Sequence, residues 1–116
     1  MTEQQAGTIL VDLDGTLAYY DHWRGGDHIG EPIPKMLERV KKWIAEGKVV
    51  RIFTSRASKP GEEGELAKKK IELWLQENGI GGLEITNCKD FTAIELWDDR
   101  AVQVHVNTGI RVDGYE

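Results

Sequence analysis

The chain has 116 residues, 40% of them hydrophobic and 30% charged, with a formal net charge of −5. That length suits one compact domain, residues 1–116, with a core of its own, and the acidic balance argues against a protein that grips nucleic acid through a bulk basic face. The single cysteine, Cys88, cannot close an internal disulfide and fits a reducing compartment. Residues 1–7 are polar, no apolar run approaches the roughly 20 residues that cross a bilayer, and the expected location is the cytoplasm, with no membrane partner.

Thr8 to Leu13 is a short apolar run rich in branched residues that ends at Asp14-Gly15, a turn signal, and it reads as a buried strand. Residues 16–33 show no steady period, and Gly25, Gly26 and Gly30 mark them as loop. Pro34 stands where a first helical residue belongs; Leu37, Val40 and Ile44 follow at helical spacing and Gly47 supplies the stop. Val49 to Phe53 is a second strand, ending in Thr54-Ser55-Arg56. Ala57 to Gly64 is polar, carries Pro60 and reads as loop. Leu66, Ile71, Trp74 and Leu75 define a second helix that stops at Gly79. Leu83 to Thr86 and Ala93 to Trp97 are further strands, and the alternation from Val102 to Val106 predicts a fifth, at the edge. Trp43 and Trp74 lie on helical faces and are assigned to the core, and His105 to the fifth strand.

Strand and helix in alternation is the pattern of a parallel α/β sheet. In such sheets the site lies beyond the carboxyl ends of the strands, near a topological switch point. The polar residues that call for explanation stand there: Asp12 and Asp14, Thr54 and Arg56, Lys89, Asp98 and Asp99.

Asp12 and Asp14 are two apart at a strand end, so their side chains leave on the same side. Two such carboxylates can bind Mg²⁺, or divide the labour of a nucleophile that attacks phosphorus and an acid that protonates the leaving oxygen; a pair that merely caps the turn is the plain alternative. Asp98 and Asp99 form a second acidic pair, suited to a metal or to pairing with Arg100. Thr54 can hold a phosphate oxygen or be an ordinary loop threonine. Lys89 can neutralise charge on a transferred phosphoryl group or be a solvated cation. Cys88 reads as a small filler beside it. Tyr19 to His28 (YYDHWRGGDH) is dense in aromatics, His and Arg; Trp23 or Tyr20 could stack a base and Arg24 hold a second phosphate, or the segment is a packed flap. His22 and His28 lack a second pair with zinc-ligand spacing.

Taken in order, Asp12-Leu13-Asp14-Gly15-Thr16, then Thr54, then Lys89, then Asp98-Asp99, the chain resembles the haloacid dehalogenase (HAD) superfamily over residues 8 to about 106. The resemblance implies a Rossmann-like three-layer sandwich on a central parallel sheet of about five strands. It implies a Mg²⁺-dependent phosphomonoesterase that works through an aspartyl-phosphate. Asp12 is then nucleophile and metal ligand, and Asp14 the acid/base that lends the metal its main-chain carbonyl. Thr54 binds the phosphoryl group and Lys89 steadies it. Asp99 meets the metal directly, with Asp98 behind it. Gly15, Ser55, Arg56 and Arg24 are the expected substrate contacts. The short span from Lys89 to Asp98 departs from many relatives, which carry a helix there. No segment is long enough for a cap domain, which leaves the rim open to a phosphorylated small molecule, the expected substrate, or to a phosphorylated macromolecule. A phosphotransferase or mutase on the same chemistry and a non-catalytic phosphate-binding module are the alternatives. A receiver-like signalling domain fits less well, because it places its acceptor at the end of the third strand.

Overall fold

The computed structural model describes residues 7–115. Four parallel strands form one sheet in the order β3-β2-β1-β4, with β1 at Thr8–Asp12, β2 at Val49–Phe53, β3 at Glu84–Thr86 and β4 at Ala93–Trp97. Helix α1, Pro34–Ala45, joins β1 to β2, and α2, Gly61–Glu77, joins β2 to β3. The class is the expected Rossmann-like parallel α/β fold, with four strands rather than five.

The pleat decides what each face does. Ile9 and Val11 of β1 and Val50 and Ile52 of β2 point to one side and bury there with Met36 and Val40 of α1 and Ile71, Trp74 and Leu75 of α2. Both helices therefore cover one face, as right-handed crossovers stepping in one direction require. Among the described residues the opposite face carries no helix; Leu10 is fully buried there, whereas Ile94 and Leu96 of β4 are exposed. Each helix ends by the glycine route. Gly47 (φ 81°) and Gly79 (φ 80°) adopt the left-handed conformation, and the residues after them, Lys48 and Ile80, donate back to the carbonyls of Trp43 and Leu75 at 2.9 Å.

Two expectations need correction. Val102 to Val106 is not a fifth strand of the sheet. Residues 101–115 fold on themselves, with His105 N donating to Ile110 O (2.8 Å) and Val112 N to Gln103 O (2.9 Å). The reversal sits at Asn107 (φ 64°) and Gly109 (φ 71°), and Val102, Val104, Val106 and Ile110 stay exposed. Alternation marks an extended segment, not what it pairs with, and here the local turn wins. His105 goes with this arm. The stretch 57–64 is not all loop either. Ser55–Ser58 is a 3₁₀ turn and α2 already starts at Gly61, where Glu62 and Glu63 complement the helix dipole.

The segment after β1 forms a flap pinned at its base. Tyr19 N donates to Glu31 O (2.8 Å) and Ile33 N to Leu17 O (2.7 Å). The buried Trp74 Nε1 reaches Gly30 O at 3.0 Å, and Lys70 of α2 pairs with Asp27 at 2.7 Å. A Cβ at Gly30 would run into the Tyr19 carbonyl. Gly30→Ala is therefore expected to cost roughly 1–3 kcal/mol in urea unfolding, the usual range for overpacking; an unchanged midpoint would show that the flap base yields freely. No helix is long and apolar enough to cross a membrane among the described residues.

Candidate functional site

The sheet order puts the switch point between β1 and β4, where the chain has left the β1-β2-β3 side and returned on the other. Val11 pairs with Trp97 in that register, so Asp12, the last residue of β1, comes level with Asp98, the residue just after β4. Asp99 completes the group: one carboxylate oxygen from each of Asp12, Asp98 and Asp99 lies within 4.8 Å of the others.

The turn after β1 is shaped to admit Asp99. Leu17 and Ala18 donate to Leu13 O (3.0 and 2.8 Å), and Gly15 N donates to Ala18 O (2.8 Å). Gly15 takes φ 92°, and a Cβ there would stand 2.7 Å from Asp99 Oδ2, so only glycine leaves the carboxylate its place. Thr16 Oγ1 donates to Asp99 Oδ1 (3.3 Å) and accepts from Asp99 N (3.1 Å). Gly15-Thr16 thus seats the second acidic pair against the first. The Arg100 main chain, not its guanidinium, serves Asp98, donating to Oδ1 at 2.7 Å.

None of the three carboxylates has a cationic side chain within 4.0 Å among the described residues. The Asp12 carboxyl is pushed up to about 7, first by burial, then by the charge of Asp98 and by hydrogen bonding to and the charge of Asp99, with the Leu13 main-chain amide acting in the opposite direction. A cluster of hard oxygen donors that is itself short of positive charge suits Mg²⁺ and not a thiolate- or imidazole-seeking metal.

Asp14 leaves this cluster. Its carboxylate is held by Arg56 in a two-pronged pair, Nε to Oδ2 at 2.8 Å and Nη2 to Oδ1 at 3.0 Å. The Arg56 side chain is only 7% exposed; it also donates to His28 O at 2.8 Å and lies 4.9 Å from the centroid of Trp23. The Asp14 side chain is thus committed to Arg56, which leaves its main-chain carbonyl as the group expected to face a metal. Reading the chain as a sequence makes Arg56 a substrate contact and misses this bond. The only sequence signal is an arginine two places after a strand-end threonine.

Thr54 is buried at the end of β2. Its main-chain amide donates to Thr86 O (2.9 Å) and its Oγ1 accepts from Arg56 N (3.1 Å), capping the 3₁₀ turn, so the hydroxyl proton is left to donate outward. Ser55 is exposed at the start of that turn. Lys89 is exposed in the link from β3 to β4, and no carboxylate of the described residues lies within pairing distance of it. Cys88, read as a small filler beside it, is exposed. Arg24 is clamped by Asp21, Nη2 to Oδ2 at 2.8 Å and Nη2 to Oδ1 at 3.0 Å, and Asp21 is held below the usual carboxylate range by that bond. His22 shares the same carboxylate at 3.0 Å.

Two recesses flank the acids. On the Asp14 side a narrow cavity of about 30 Å³ is lined by Tyr19, Tyr20, His28 and Arg56. On the Asp98-Asp99 side a wider groove of about 300 Å³ runs past Thr16, Met36 and Trp97.

No protein family model matches the chain, and no curated protein matches it. Among solved structures it is similar to a conserved protein coded by a locus from Bacteroides thetaiotaomicron, at 23% identity and a TM-score of 0.59, over 96% of this chain and 82% of that one. What the two share at that identity is the fold.

The raised Asp12 carboxyl fixes a pH dependence for the metal-free protein. A carboxyl that titrates near 3.8 when unfolded and near 7 when folded lends its stability below the lower value and loses it as pH rises through the upper one. Asp90, held down to about 2 by Thr92 and Arg51, works in a separate acid window. In chelator, stability is thus expected to fall between pH 4 and 7, and Asp12→Asn to remove most of that fall and exceed wild type at pH 8. Urea midpoints at pH 5 and pH 8 check this, and a variant weaker than wild type at pH 8 would contradict it.

Proposed function

We propose that the protein is a Mg²⁺-dependent phosphomonoesterase that passes through a phosphoryl group on Asp12. The observation that carries this reading is the divergence of two carboxylates only two residues apart. Asp12 sits in a cation-hungry acid cluster, whereas Asp14 is fixed by the fork of Arg56. Without a metal those surroundings favour a proton on Asp12; a cation in the cluster would reverse that and leave Asp12 the ionised nucleophile, with Asp14 outside the acid cluster as the acid/base. The ordered motifs, which resemble the haloacid dehalogenase superfamily, point the same way.

In this scheme one oxygen of Asp12 attacks phosphorus in line with the ester oxygen. The phosphorus–ester bond breaks as the Asp12–phosphorus bond forms, and Asp14 gives its proton to the departing oxygen. Arg56 fixes the plane of the Asp14 carboxyl while each oxygen keeps a second lone pair for that proton. In the second half Asp14 takes a proton from water, the water oxygen attacks phosphorus, and inorganic phosphate leaves with Asp12 restored. Asp12, Asp98 and Asp99, with the Asp14 carbonyl, would hold the metal. When bound, Mg²⁺ would offset the charge of the acid cluster and of the phosphoryl oxygens. The Thr54 hydroxyl and the amides of the turn after it are assigned to a phosphoryl oxygen, and Lys89 to the charge that develops there. The reading places the protein on soluble phosphate esters in the cytoplasm, small molecules first. A phosphotransferase would use the same first half and deliver phosphate to an alcohol instead of water.

Release of phosphate from a generic aryl phosphate, with and without Mg²⁺, tests the scheme. Wild type is expected to need the metal. Asp12→Asn is expected to lose at least about a thousand-fold in kcat, as removal of a nucleophile does. Arg56→Ala, a change at a positioning residue, is expected to lower kcat about a hundred-fold with little change in KM. Normal turnover by Asp12→Asn would refute the covalent route.

A further inference from the structure

The flap carries three aromatic side chains that the scheme above does not use, Tyr19, Tyr20 and Trp23, and of these Trp23 is the one that Arg56 holds. Trp23 is 57% exposed, yet one face of its ring is fixed, since the Arg56 guanidinium lies 4.9 Å from its centroid. Arg56 is in turn the residue that grips Asp14 at 2.8 and 3.0 Å and the His28 carbonyl at 2.8 Å. Trp23 therefore stands one guanidinium group away from the carboxyl assigned to the leaving oxygen. The flap that presents it is anchored to α2 through Trp74–Gly30 and Lys70–Asp27. A ring that is held on one face and open to solvent on the other is a preorganised stacking platform.

The flap's charges say what kind of leaving group it suits. Arg24 is neutralised by Asp21, which also takes His22, and Arg56 is committed to Asp14. No cation of the flap is left over for a second phosphate, so recognition on this side must rest on an uncharged part of the leaving group. The cavity between Asp14 and the flap, about 30 Å³, is lined by Tyr19, Tyr20 and His28. It leaves room for little beyond the ester linkage, so a bulkier part must lie outside it, on the flap surface where Trp23 is the exposed ring linked to Asp14 through Arg56. We propose that the leaving group is a nucleoside whose base stacks on the outer face of Trp23, with the pentose spanning the step from Asp14 to the ring. This rests on the phosphatase reading for the place of the ester oxygen. A free mononucleotide and the end of a strand are the two sources of that phosphate, since both offer the same base next to the same ester.

The test separates this proposal from the phosphatase reading by measuring binding as well as turnover. In the Asp12→Asn protein with Mg²⁺, tryptophan emission is titrated with adenosine monophosphate, with ribose 5-phosphate and with an oligonucleotide bearing a terminal phosphate, each alongside the same protein carrying Trp23→Leu. Quenching by the nucleotide or the oligonucleotide that ribose phosphate does not cause and that Trp23→Leu abolishes is the expected result. Which of the two quenches at lower concentration identifies the source. In the otherwise wild-type enzyme, Trp23→Leu is expected to lower kcat/KM for the nucleotide substrate about ten-fold or more, the usual contribution of one stacked base. It should leave ribose phosphate within about two-fold, and Trp23→Phe should restore part of the loss. Equal losses on both substrates would make Trp23 only a prop for Arg56 and overturn the proposal, as would equal binding of base-bearing and base-free phosphates. Absence of turnover on every ester would sink the phosphatase reading, and the quenching comparison would still decide the stacking.

Discussion

Three carboxylates share a few ångströms at the switch point of this sheet, and among the described residues no cationic side chain pairs with them. Like charges so close, two of them half-buried, raise the free energy of the folded chain unless a proton or a cation intervenes. The rest of the molecule is arranged around that conflict. The parallel register brings Asp12 level with Asp98, and the left-handed Gly15 leaves space for Asp99. Thr16 fastens Asp99 from both its main chain and its side chain. Stability alone gives no reason for such a spot, and the proposed binding of a divalent cation and a phosphate ester would supply one.

The second constraint is the separation of Asp14 from that cluster. Arg56 comes from the turn after β2 and reaches across to the turn after β1, so the two central strands each supply one half of the pair. The bond also ties in the flap, through His28 and Trp23. Position of the acid and position of the flap are therefore one mechanical unit. A change in α2, which anchors the flap, reaches Asp14 through the His28 carbonyl and a single guanidinium group, while the Asp14 fork and the His28 bond hold Arg56 without help from Trp23.

Much of this was legible beforehand, for identifiable reasons. The branched runs of β1 and β2 and the glycine stops of both helices are local signals, and the structure follows them. Asp12, Asp14, Asp98 and Asp99 stood out because acids next to apolar strand ends are costly without a purpose. Val102 to Val106 reads as a sheet strand because alternation looks the same in such a strand and in a segment folded on itself. The turn at Asn107-Thr108-Gly109 was the signal that distinguished them. The Arg56–Asp14 bond, between residues 42 apart in sequence, has no local signature. Nor did the sequence tell that Arg24 would be spent on Asp21 rather than left free.

Fluoroberyllate, which occupies an aspartate as a phosphoryl group would, probes the central claim that Asp12 is an armed nucleophile in a metal site. Fluorine-19 NMR of the protein with beryllium and fluoride would show it directly. The account predicts a bound resonance that requires Mg²⁺ and is absent in Asp12→Asn. No bound resonance in wild type with Mg²⁺ present, or an equal one in the variant, would contradict it.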